Sequence, residues 1–191
     1  MNERKNAEAP REGWFDIVSL NVSPATGTRK KPVPAFRLEA GRGVAGDAHE
    51  GLIENRQVSF LAAEEIEEAS AALAAALAGR GAAPGAAGRG ASAGEAAAPG
   101  EAGGRLTSLV PGDFAENVTT RGVRLHELPL GTVIEMGTAV LELSKIGKEC
   151  HTSCEIRNLV GDCIMPRRGI FARVVKGGEV KNEDRGHYRI G

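Results

Sequence analysis

The chain has 191 residues, a formal net charge of -1, and 41% hydrophobic, 26% charged and 4% aromatic residues. Those values fit one globular domain. They exclude a general nucleic-acid binder, which carries a basic surplus and stacking aromatics, and no apolar run approaches the roughly 20 residues of a bilayer span. The polar start, Met1–Gly13, lacks the apolar core of a signal peptide, so a cytoplasmic protein with reduced thiols is expected.

Residues 1–13 read as a flexible lead-in to a domain spanning 14–191. Trp14–Val22 is apolar and β-branched enough for a first strand, ended by Ser23-Pro24 and Gly27. Pro32 and Pro34 then force an extended path, because each proline fixes its own φ and restricts the residue before it. A glycine-rich loop, Gly41–Asp47, carries Asp47 and leads to His49; Gln57–Leu61 follows as a short strand. From Ala62 the period changes. Ile66, Ala69, Leu73 and Leu77 fall on one helical face, and Glu64, Glu65, Glu67 and Glu68 crowd the first turns, where the helix dipole favours anions. Gly79 is a natural stop. The stretch at about 80–104 is almost all alanine and glycine, too poor in apolar surface to offset the entropy of ordering, and is read as an insertion.

Beyond it, Ala115–Thr119 is a strand candidate, Thr132–Met136 and Thr138–Ile146 make a hairpin around Gly137, and Ile170–Val175 is a strand turned by Gly177-Gly178. Short strands about every 10 residues with one short helix predict a mainly β, barrel-like fold.

All three cysteines, Cys150, Cys154 and Cys163, fall with His151 in fourteen positions, near Lys145, Lys148, Arg157, Arg167, Arg168 and Arg173. Neighbouring cations favour the thiolate, which is both the nucleophile and the soft metal ligand. An alternative is a structural zinc site of Cys150, His151, Cys154 and Cys163, against which stand the missing C-x-x-C pair and the adjacent Cys-His ligands. A third reading makes the thiols core residues, since cysteine is often buried. Asp113, Glu116 and Asn117 after Pro111-Gly112 are either a solvated turn or ligand contacts; Asp47 with His49 is either a proton relay or a solvated loop pair.

Gly147–His151 with Cys154, Val160–Pro166, Gly169–Val174, Gly46–His49, Arg56–Ser59 and Pro111–Thr120 together closely resemble the MOSC domain, the C-terminal part of molybdenum cofactor sulfurase, in its small stand-alone bacterial form. The resemblance implies a barrel related to the β-barrel domain of pyruvate kinase. It further implies a role in molybdenum-cofactor metabolism, with Cys154 or Cys150 carrying sulfur as a persulfide or, for Cys154, meeting molybdenum, and His151 tuning the thiol. Candidate contacts to the phosphate-bearing molybdopterin are Arg56, Asp113, Glu116, Asn117, Arg167, Arg168 and Arg173. The chain is too short for the pyridoxal phosphate domain of the larger members, so no pyridoxal phosphate site is expected and a separate cysteine desulfurase-type protein would supply sulfur. A molybdoenzyme or cofactor-biosynthesis protein would receive it. A non-catalytic module that binds or shields the cofactor, and action on a small N-hydroxylated substrate, are the competing readings. The Ala/Gly insertion departs from the family's compact pattern, and Lys181–Gly186 lacks the Gly-Asp turn such domains show before a last strand.

Overall fold

The structure, a computed structural model, describes residues 10–80, 101–102, 105–147 and 163–191. Its strands in chain order are β1 (Glu12–Val22), β2 (Lys31–Val33), β3 (Ala35–Glu39), β4 (Gly43–Val44), β5 (Val58–Ala62), β6 (Glu101–Ala102) and β7 (Arg105–Leu106). They continue as β8 (Val118–Arg121), β9 (Val133–Met136), β10 (Ala139–Ile146), β11 (Ile170–Lys176), β12 (Gly178–Lys181) and β13 (Arg185–Arg189). Helix α1 covers Ala63–Arg80 and α2 is the single turn Met165–Arg168.

Seven strands close into a barrel in the order β1-β13-β9-β10-β11-β5-β8 and back to β1, with β2 added beside β1. If all neighbours in a ring ran antiparallel, directions would alternate and the number of strands would be even. Seven strands therefore need a parallel contact, and it lies between β5 and β8, with Phe60 opposite Val118. Parallel neighbours need a crossover of a dozen residues or more. Helix α1 begins that crossover directly after β5.

Side-chain alternation builds two cores. Val58 and Phe60 of β5, Ile134 and Met136 of β9, Leu141 and Leu143 of β10 and Ile170, Ala172 and Val174 of β11 belong to the barrel's main cluster. Leu61 and Phe171 from the opposite faces of β5 and β11 pack instead with Ile66, Leu109, Phe114, Cys163 and Met165. Every residue of β5 is buried for this reason. The small sheet β12-β3-β4 adds Phe36, Leu38, Val44 and Val180 to the main cluster. At the β1–β13 seam Gly186 lies opposite Phe15, where a Cβ would stand 2.0 Å from the ring; the seam closes because that residue has no side chain.

The mainly β barrel, the first strand, the helix and the hairpin around Gly137 match the sequence expectations. Two points differ. The strand expected at Ala115–Thr119 begins only at Val118, because Ala115 has a φ of 62° and the Pro111–Asn117 turn continues through it. The tail, despite its missing Gly-Asp turn, forms β12 and β13, with Asp184 accepting the Lys181 N–H to make the turn between them. The low-complexity stretch lies largely outside the described residues, although β6 pairs with β7 at its end.

Candidate functional site

Four loops and strand ends meet around Asn117. Its backbone N–H donates to the Ser59 carbonyl at 2.9 Å and its carbonyl accepts from Asn21 N at 2.7 Å, so the turn before β8 is stitched to β5 and β1. Its side chain continues the pattern: Oδ1 accepts from the Ser59 hydroxyl at 2.9 Å, and Nδ2 donates to Asn21 O at 3.2 Å and to Asp47 Oδ2 at 3.3 Å. Asp47 thereby joins the same network. Its carboxylate accepts from Ser23 N and His49 N and pairs with the Lys30 ammonium, and both side chains of that ion pair are nearly fully buried. Burial alone would raise the Asp47 carboxyl, but the hydrogen bonds from His49 and Lys30 and the Lys30 charge outweigh it and hold it well below the ordinary range. His49, partly exposed, places Nδ1 3.2 Å from Asp47 Oδ1 and is the end of the network that reaches solvent.

The neighbouring carboxyl behaves in the opposite way. Glu116 is fully buried; Oε1 accepts from Gly112 N at 2.6 Å and from the Thr119 hydroxyl at 2.8 Å, while Oε2 has no hydrogen-bond partner among the described residues. Desolvation pushes its pKa up to about 7 against those two bonds. Gly112 holds the loop around it at a φ of 92°, and a Cβ there would sit 2.3 Å from the Lys30 carbonyl oxygen. Asp113 is buried too, accepting from Val110 N at 2.9 Å, with Arg29 3.8 Å away. The solvated-turn reading of Asp113, Glu116 and Asn117 is thus replaced by a buried one.

Phe114 of the same turn belongs to the cluster containing Cys163 and Phe171. Cys150, His151 and Cys154 lie outside the described residues, which resume at Cys163. The bracketing residues are well placed: Gly147 N donates to Gly169 O at 2.8 Å, and Cys163 is a buried thiol among apolar side chains. Arg56 lies 6.0 Å over the Phe171 ring. The structure therefore gathers the Asp47–His49 loop, the Pro111–Asn117 turn, Arg56 and the ends of the cysteine segment into one region of the barrel wall.

The other arginines diverge. Arg168, at the end of α2, is 3.5 Å from Glu65 Oε2 and 2.9 Å from His126 Nε2. A guanidinium only donates, so this imidazole accepts at Nε2 and carries its proton on Nδ1. Burial first, and the Arg168 charge as well, lower the His126 pKa, in keeping with that neutral form. Arg167 is on the same turn, and Arg173 pairs with Glu142 at 3.0 Å on the outer face of β11. Among the described residues no group of three or more His, Cys, Asp or Glu side chains is set to hold a metal. No helix among them is long and apolar enough to cross a membrane. Lys30, Asn21 and Ser23 were not singled out from sequence. Lys30 stands in an ordinary Lys-Lys-Pro run, and only the fold shows that it turns inward.

The MOSC domain family model matches residues 45–185. No curated protein matches the chain closely enough to rank as a relative. Among solved structures, the YuaD protein from Bacillus subtilis superposes with a TM-score of 0.65 at 18% identity, covering 94% of this chain and 98% of that one. YiiM from Escherichia coli gives 0.56 at 13% identity over 92% of this chain and 69% of that one. YiiM from Geobacillus stearothermophilus gives 0.53 at 19% identity over 89% and 72%. At these identities the likeness is one of fold.

Proposed function

The chain belongs to the MOSC domain family, and on that premise we propose that it is a cytoplasmic protein of molybdenum-cofactor metabolism whose working thiol is Cys154 or Cys150. The observation that carries this reading is the burial of Cys163 in an apolar cluster at the end of the cysteine segment. A thiol packed in a closed apolar cluster is screened from a donor protein, whereas a working thiol must be accessible. We therefore read Cys163 as a packing thiol and place the chemistry at Cys154 or Cys150.

As a carrier, the thiolate attacks a sulfane sulfur on a donor protein of the cysteine desulfurase type. The Cys Sγ–S bond forms while the donor's S–S bond breaks, and the donor's sulfur leaves as a thiolate. A molybdoenzyme or cofactor-biosynthesis protein is the acceptor. The donor set also fits the cofactor itself: thiolates suit a soft metal, and Arg56 with Arg167 would meet a phosphate near the ends of the segment. When bound, that cofactor supplies a redox-active metal on a phosphate-bearing dithiolene pterin. Arg168, already facing Glu65 and His126, would hold the α2 turn in place, and Arg173 points to a different part of the surface. Asn117 and Glu116 fix the adjoining turn.

Intact-protein mass spectrometry tests the reading on protein purified without reductant from cells that make the cofactor. A mass gain of one sulfur atom, or co-purified pterin, is expected, and is expected to vanish in Cys154→Ser or Cys150→Ser but to persist in folded Cys163→Ser. Stoichiometric zinc together with unfolding by chelator would show a structural metal site instead.

A further inference from the structure

A groove of about 610 Å³ lies on the outer barrel wall, lined by Gly41, Glu54, Gln57, Glu142, Arg173 and Val175 among others. It has a clear structural origin. The β5–β11 ladder ends at the pair Val58 and Ala172, where β5 begins, while β11 runs on to Lys176. The Gln57 carboxamide takes over the next ladder position, accepting the Val174 N–H at 2.8 Å, and Gly41 N donates to the Val174 carbonyl at 3.1 Å. On the side away from β10, the Val174 backbone is thus satisfied without a strand beside it, and the gap stays open with a fixed floor. Gln57 is buried and oriented by that bond, and Val175 is an exposed apolar residue beside it.

We propose that this groove binds a short peptide-like zwitterion, of di- or tripeptide size. Its volume falls in the range of small-molecule sites, roughly 300–1,000 Å³. The rim sets two carboxylates, Glu54 and Glu142, against one guanidinium, Arg173. That balance disfavours a phosphate or other polyanion and favours a ligand with an ammonium group. Arg173 directs Nη2 to Glu142 Oε2 at 3.0 Å. A guanidinium has five N–H donors in a fork, so further donors serve a ligand carboxylate without breaking that pair. Val175, an exposed apolar residue of the lining, offers a contact for a ligand side chain. The site needs no cysteine chemistry and stands apart from the proposed function.

Titration of the full chain with L-alanyl-L-alanine, followed by amide chemical shifts, tests the proposal. Saturable shifts are expected at Gly41, Gln57 and Val174. The N-acetyl derivative and the C-terminal amide each remove one charge, and each should bind about tenfold more weakly or worse. Glu54→Gln and Arg173→Gln should reproduce those losses separately, the first for the ammonium end and the second for the carboxylate end. Both are exposed positions, and a melting curve confirms that the variants fold. Equal binding of all three peptides, shifts elsewhere on the barrel, or unchanged affinity in both variants would overturn the assignment.

Discussion

Two buried carboxyls, Asp47 bonded to the Asn117 side chain and Glu116 next to Asn117 in the chain, have opposite titration behaviour, and the difference lies in their partners. Asp47 shares its burial with a lysine; Glu116 has neutral donors and, among the described residues, one oxygen without a partner. Burial pushes the Glu116 pKa to about 7 from 4.5, so the folded protein holds this proton more tightly than the unfolded chain. Its contribution to stability is then fully present below pH 4.5 and is lost as pH rises through about 7. The loss is on the order of 3 kcal/mol, one pKa unit being worth 1.36 kcal/mol. Glu116→Gln keeps an oxygen for Gly112 N and the Thr119 hydroxyl and carries no charge at any pH. Melting temperatures measured across that window should fall more steeply with pH for the wild type than for the variant. Parallel curves would show that Glu116 is ionised throughout, with a water or cation completing its coordination.

At the scale of elements, the connection between β5 and β8 is the unusual part of the barrel, because it must cross over to leave two strands parallel. Helix α1 supplies the packing for that crossover through Ile66, with Ala69 and Leu73 against the same cluster. Residues 81–100 add only alanine, glycine, two prolines and scattered polar residues to it. Lengthening a connection costs little closure entropy, about 0.6 kcal/mol per doubling. Replacing residues 81–100 with a short Gly/Ser linker should therefore leave the melting temperature within a few degrees of the parent. A larger drop, read by calorimetry, would show that the segment contributes packing that its composition does not suggest. The same comparison marks what was legible in the sequence. The 3.6-residue spacing of Ile66, Ala69 and Leu73 and the alternation of Leu141 and Leu143 announced α1 and β10, because both elements bury one face. Ala115 misled, since it closes a turn by donating its N–H to the Gly112 carbonyl and takes a left-handed backbone that alanine does not favour. Lys30 and Asp47 were illegible as a pair because seventeen positions and two prolines separate them; the docking of their loops against Gly112 and Ser23 brings them together. The burial of Cys163 was not legible, because Phe114 and Phe171, which cover it, come from distant parts of the chain.

The whole molecule depends on residues outside the stretch that defines its family. The match covers residues 45–185, yet the ring is closed by β1 at Glu12–Val22 and β13 at Arg185–Arg189. Strand β1 supplies Phe15, Ile17 and Leu20 to the main core, and β13 supplies Tyr188. Each such buried side chain is worth about 1.5–3 kcal/mol, so four of them amount to much of the roughly 5–15 kcal/mol that separates a folded domain from its unfolded chain. Removing both strands also leaves β8 and β9 as open edges, each a template for intermolecular pairing. A fragment of residues 45–185 is therefore expected to show no cooperative melt and to aggregate, whereas a chain starting at residue 10 should melt as the full protein does. Circular dichroism with light scattering on the two truncations distinguishes these outcomes. A monomeric 45–185 fragment with a sharp transition would mean that the barrel is held by its helix-side cluster, and that closure through β1 and β13 is an addition to an already stable fold.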